Sequence, residues 1–127
     1  MPTSILTYPQ RVEAVTSLEG KLLQLRWAGR EYPLFAAAGE LRYHNQILGR
    51  FLAEAGIPHH WADAQTLVVD PVGLTILGGG RFRLDRPTKT LWVWDASSVY
   101  GRFDASAISA SLTAADPPWR GLALRVA

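Results

Sequence analysis

Residues 39–56 read GELRYHNQILGRFLAEAG, and this stretch decides the fold class. Leu41, Leu48, Phe51, Leu52 and Ala55 recur at the three-to-four spacing of an amphipathic helix, while Arg42, Gln46, Arg50 and Glu54 fall on the other side. Gly56 is the residue expected to stop this helix, and Pro58 follows just beyond. Upstream the pattern is that of strands. Residues 11–16 and 21–27 are short, partly alternating segments separated by Glu19-Gly20, which predicts a hairpin, and Leu23, Leu25 and Trp27 share one face of the second segment. A third extended piece is expected over residues 31–34, ended near Pro33 because proline removes a ladder donor.

Downstream, residues 66–70 and 74–77 are apolar and β-branched. Asp70-Pro71-Val72-Gly73 between them is turn chemistry, so a second hairpin is expected there. After Gly78-Gly79-Gly80, residues 82–84 and 90–94 form another predicted pair around the turn Asp85-Arg86-Pro87-Thr88. Asp104 is placed to cap a second helix reaching about Ala114, with Ala105, Ile108, Leu112 and Ala115 on one side and Pro117-Pro118 as its stop. A last strand over residues 122–126 closes the chain. The expected architecture is α+β: one domain over residues 1–127, with a mixed, largely antiparallel sheet of about six strands flanked by two helices.

Composition narrows the chemistry. The chain has 127 residues, 48% of them hydrophobic, enough to bury a core of its own. Thirteen Lys and Arg stand against 11 Asp and Glu, a net charge of +2, and the basic residues are scattered from Arg11 to Arg125. A nucleic-acid partner is therefore not expected, since a groove that neutralises many phosphates needs a clustered basic excess. There are no cysteines, which excludes disulfides, thiolate zinc sites and a cysteine nucleophile. Residues 1–7 do not read as a signal peptide, and no apolar run approaches the roughly 20 residues of a membrane helix. A cytoplasmic protein without a membrane partner is the expectation, monomeric or dimeric.

Three features carry possible chemistry. At about 100° per residue from Leu41, His44 falls at about 300°, inside the arc of about 280° to 20° that holds Phe51, Ala55, Leu48 and Leu52. An inward histidine is either a core residue satisfied by a backbone carbonyl or an imidazole held at a pocket rim, with a pKa suited to general base work. The run Leu77-Gly78-Gly79-Gly80-Arg81 follows a predicted strand. Its glycines can turn backbone N–H groups toward an anion that the guanidinium also holds, or they can simply form a bulge. The stretch from Trp94 to Gly101, with Ser97, Ser98 and Val99 at its centre, is a hydroxyl-bearing loop that can donate to a phosphate or merely connect strand to helix. His59-His60 lies in a predicted loop without the partners a metal site needs. The five tryptophans are a possible contact surface, with Trp119 expected to be the most exposed and Trp27, Trp92 and Trp94 expected in the core.

In this order the features resemble the Janus, or phosphohistidine phosphatase, family. The matching residues are Lys21-Leu22-Leu23-Gln24-Leu25-Arg26 on an early strand, Tyr43-His44 at the start of a helix, Leu77-Gly78-Gly79-Gly80-Arg81, and Ser97-Ser98-Val99-Tyr100-Gly101. The resemblance spans roughly residues 21–126. It implies a sheet flanked by two helices and metal-free hydrolysis of phosphohistidine, with phospholysine a further substrate, and it implies no cofactor. It assigns His44 as the catalytic base. Lys21, Arg81, Gly79, Gly80, Ser97, Ser98 and Val99 are then expected to hold the phosphate of a phosphorylated protein or a small phosphoramidate. Eight residues before the histidine the family carries an arginine where this chain has Ala36, which opens the alternative of a non-catalytic phosphate- or phosphoprotein-binding module. Arg42 and Arg26 are the candidate substitutes for that arginine.

Overall fold

Leu22 and Leu23, adjacent in sequence and both fully buried, point to opposite sides of one sheet into two separate cores. In the computed structural model, which describes residues 2–8, 16–69, 73–117 and 119–127, a six-stranded mixed sheet separates two helices. The chain order is β1 (Leu6–Tyr8), β2 (Ser17–Trp27), β3 (Arg30–Ala37), α1 (His44–Ala55), β4 (His59–Trp61), β5 (Leu67–Val69), β6 (Thr75–Asp85), β7 (Thr90–Trp94), α2 (Ala105–Ala114) and β8 (Ala123–Val126). Across the sheet the order is β1-β3-β2-β6-β7-β8. The edge pairs β1/β3 and β7/β8 are parallel, and the three inner pairs are antiparallel.

Both helices form where the apolar period placed them. α1 buries Ile47, Leu48, Phe51 and Leu52 against Leu23, Leu25, Leu34 and Ala36. α2 lays Ile108 and Leu112 on the other face, over Leu22, Phe35, Phe82, Leu91 and Val93. Gly56 ends α1 in the left-handed region at φ 70°, its N–H donating to the Ala53 and Leu52 carbonyls. The Asp104 carboxylate caps α2 by accepting from the Ala107 N–H at 3.1 Å. Buried Gln24 pins that helix start to β2: its Oε1 accepts from the Asp104 N–H at 2.8 Å and its Nε2 donates to the Asp104 carbonyl at 3.2 Å.

Several expectations are corrected. Glu19-Gly20 is no turn: β2 runs straight through it, because a Cβ at Gly20 would strike the Ala36 carbonyl of β3, and glycine serves a close strand approach. Of the strand predicted over residues 11–16, residues 11–15 lie outside the described residues, and Thr16 is a bend leading into β2. Pro33 does not end its strand, which continues to Ala37. Helix α1 starts at His44 rather than near residue 39, with Gln46 Oε1 accepting from the N–H groups of Arg42 and Tyr43. Residues 70–72 of the second predicted turn are also outside the described residues, but the strands flanking it are not partners. β5 pairs with β4, which contains His59-His60 and not a loop, while β6 pairs with β2 and β7. The β6–β7 hairpin forms as expected, with Asp85 opposite Thr90.

Trp119 is 7% exposed and stacks on Phe35 with centroids 4.9 Å apart, whereas Trp92, expected in the core, is 45% exposed. The pleat explains Trp92: Leu91 and Val93 take the α2 face, and α1 does not extend over β7. No helix among the described residues is long and apolar enough to cross a membrane.

Candidate functional site

His44, the first residue of α1, stands over the middle of β6. Its Nε2 lies 3.0 Å from the Gly80 carbonyl. A carbonyl can only accept, so Nε2 carries the proton and the lone pair of the neutral ring is on Nδ1. The ring is seated on a glycine: a Cβ at Gly79 would lie 2.7 Å from His44 Cδ2, 2.9 Å from Nε2 and 2.8 Å from the Leu22 carbonyl. Burial holds the imidazole pKa below the usual histidine value. The Lys21 charge lowers it too, against the opposing pull of the Gly80 and Leu22 carbonyls and of Asp95. At neutral pH the ring is uncharged and basic.

Of the two sequence readings of the glycine run, the structure shows the bulge. It is neither a loop nor an anion nest but the centre of β6, beside a β-bulge between Gln24 and Leu25 of β2. The Gly79 N–H donates to the Gly101 carbonyl at 2.9 Å, and the Gly79 carbonyl accepts from the Phe103 N–H. Gly78, at φ 144°, lies so close to the Arg102 carbonyl that a Cβ would overlap it, and a Cβ at Gly80 would lie 2.5 Å from the Trp94 carbonyl and 2.8 Å from the Phe103 ring. Absent side chains here let His44 pack from one face and the 101–103 segment close against the strand.

A cavity of about 290 Å³ opens beside His44 and is also lined by Lys21, Tyr43, Asn45, Gln65 and the loop Ser97, Ser98 and Val99. Five of the eight site residues expected from sequence thus meet in one pocket, and Gly79 and Gly80 form the strand beneath it. Ser97 organises the loop. Its hydroxyl oxygen accepts from the N–H groups of Val99 at 3.3 Å and Tyr100 at 3.1 Å, and its own N–H donates to the Gly101 carbonyl. Those amides are committed within the loop, which leaves the Ser98 N–H as the amide without an acceptor among the described residues. The Ser97 hydroxyl proton is not consumed by these bonds.

Arg81 lies next door. It lines a second hollow, of about 340 Å³, with Lys21, Arg42 and Trp94, and its Nε is 3.3 Å from Asp95 Oδ2. Lys21 and Arg81 are directly opposite in the ladder, two like charges side by side, an arrangement that disfavours the empty site and favours an anion between them. Among the described residues Lys21 has no carboxylate partner; its ammonium stands 5.8 Å from the Tyr43 ring centroid. The N-terminus of α1 adds the N–H groups of His44 and Asn45, two pocket-lining residues whose amides have no acceptor among the described residues.

Sequence reasoning missed two contributors. Asp95, at φ 66°, closes the Arg81 side. Asn45 donates through Nδ2 to the Gln65 carbonyl at 2.7 Å, tying the 62–66 loop to the pocket wall, and its Oδ1 is buried without a donor. Only adjacency to His44 and Trp94 marked these residues. Ala36 is fully buried and directly opposite Lys21, so the position of the family's arginine does border this site. Arg26 cannot replace it: that side chain is bound to Glu31 at 2.6 Å, and Glu31 in turn accepts from Ser111 of α2, on the other face of the sheet. Arg42 is exposed, 5.5 Å from the Tyr43 ring centroid, outside the His44 pocket. Among the described residues no three His, Asp or Glu side chains form a metal-binding cluster.

Compared with known proteins, the chain matches no family model and no curated protein.

Proposed function

We propose that this protein hydrolyses phosphoramidate bonds, with phosphohistidine the first substrate and phospholysine the second, and that His44 is the general base. The observation that carries this reading is the 3.0 Å contact of His44 Nε2 with the Gly80 carbonyl. A backbone carbonyl holds the Nε2 proton, which leaves Nδ1 as the basic atom of a ring that lines a pocket together with Lys21, Ser98 and the start of α1. A phosphoryl group fits such a donor set, and hydrogen bonds to its oxygens strengthen as charge develops in the transition state. Water attacks phosphorus as the P–N bond breaks. The proton it loses passes to His44 Nδ1 and from there to the leaving nitrogen, so His44 ends neutral. General base action of this kind contributes about 10²- to 10⁴-fold. Arg81 holds the phosphoryl group from the Lys21 side. The resemblance to the Janus family supports the same assignment, as does the family order of the residues.

A second reading is a phosphate- or phosphoprotein-binding module without turnover. It is favoured by Ala36: the cation expected opposite Lys21 is missing, and Arg26 faces away. Release of phosphate from a phosphohistidine peptide in the presence of a chelator separates the two. Turnover by the wild type that falls at least about 100-fold in His44→Ala, with a raised KM in Arg81→Ala, is expected. Absence of wild-type turnover together with phosphate-dependent shifts of the Ser98 amide resonance establishes the binding module instead.

A further inference from the structure

Three hollows run end to end along one edge of the His44 site. The His44 pocket shares Lys21 with the hollow of about 340 Å³, and that hollow shares Glu19 and Ala38 with a third, of about 530 Å³, reaching Ser17 and Arg83. Their common wall is the first part of β2. From Lys21 to Ser17 the strand advances by about 13 Å, the span of about four residues of extended peptide at ~3.3 Å each. α1 packs on Leu23 and Leu25 further along β2 and does not itself cover this part of the face.

The channel is charged unequally. Register places Arg81 between Lys21 and Trp94, and Arg83 between Glu19 and Trp92. Among the described residues Lys21, Arg42, Arg81 and Arg83 line the two outer hollows against two acids, Glu19 in the lining and Asp95 paired to Arg81 at its side. Arg83 is exposed and, among the described residues, forms no ion pair. The half-buried indole of Trp94 gives the nearer hollow an apolar wall.

Building on the phosphatase reading, we propose that this channel receives the segment of a protein substrate that flanks its phosphorylated residue, extended along β2, and selects acidic side chains there. The substrate class is then an acidic-flanked phosphoprotein rather than a free phosphoamino acid. Four cationic side chains against these two carboxylates attract an acidic chain and repel a basic one, which acts on specificity as well as on affinity.

The test is anisotropy of two unphosphorylated, fluorescein-labelled octapeptides at low ionic strength, one with Glu and one with Gln around a central histidine. The Glu peptide is expected to bind more tightly. Arg83→Glu should weaken it about five- to tenfold and Glu19→Lys should tighten it, while both variants hydrolyse free phosphohistidine at the wild-type rate. Equal binding of the two peptides, or no binding of either, overturns the proposal. So does tighter binding of oligodeoxythymidylate with the same Arg83 dependence, which would assign the channel to nucleic acid. A wild type that binds the Glu peptide in this manner yet releases no phosphate removes the catalytic reading and leaves the acidic-segment channel standing.

Discussion

Replacing Gly79 with alanine tests the construction of the site more directly than any change to His44 itself. The added methyl would lie 2.7 and 2.9 Å from two imidazole atoms and 2.8 Å from the Leu22 carbonyl, where ordinary contact is about 3.5–4.0 Å. The imidazole is the part able to give, and moving it breaks the bond between Nε2 and the Gly80 carbonyl. Overpacking of this kind costs about 1–3 kcal/mol and the lost hydrogen bond about 0.5–1.5 kcal/mol, so Gly79→Ala should destabilise by about 2–4 kcal/mol. For a chain of this size that corresponds to a fall in Tm of about 10 °C. Urea unfolding of wild type, Gly79→Ala, His44→Ala and the double variant isolates the clash. Because the methyl presses on the ring, its cost should drop by about 1–2 kcal/mol once the ring is gone, with the remainder due to Leu22. Strictly additive effects, or Gly79→Ala with wild-type stability and unchanged His44 ring resonances, would refute the claim that glycine is required to seat the imidazole.

Other outcomes follow from the same geometry. Burial holds the folded pKa of His44 below its unfolded value of about 6.5, so the unfolded chain takes up the proton first. This share of stability is complete above about pH 6.5 and is lost as pH falls from there toward the folded pKa. Urea midpoints at pH 7.5 and 5.5 should therefore differ more for wild type than for His44→Gln, and equal differences would contradict it. Lys21→Met should raise stability by up to about 1 kcal/mol, by removing a like charge opposite Arg81, while weakening phosphate binding in calorimetry. Trp119→Ala should cost about 3–5 kcal/mol in chemical denaturation without changing self-association, because the indole is packed on Phe35 inside the α2-side core.

The two helices, the end of α1 and both limits of α2 were legible in the sequence, because their causes are local: the 3.6-residue apolar period, the Gly56 stop and the Asp104 cap act within a few residues. The hairpin around residues 86–89 was legible for the same reason. The expected α+β class, six-stranded mixed sheet and flanking helices followed from these elements together. Pairing partners did not. Glu19-Gly20 and Gly78-Gly79-Gly80 carry turn chemistry, yet each lies inside an 11-residue strand, since what a glycine makes room for is set by a neighbour distant in sequence. β5 pairs with β4 because the edges of β6 belong to β2 and β7, an allocation no window along the chain contains. The buried helix face of His44 was fixed by sequence periodicity. Its Nε2 proton, its seat on Gly79 and its meeting with Lys21 and Ser98 were decided only by tertiary packing, where residues more than twenty positions apart compete for the same space and the same carbonyl.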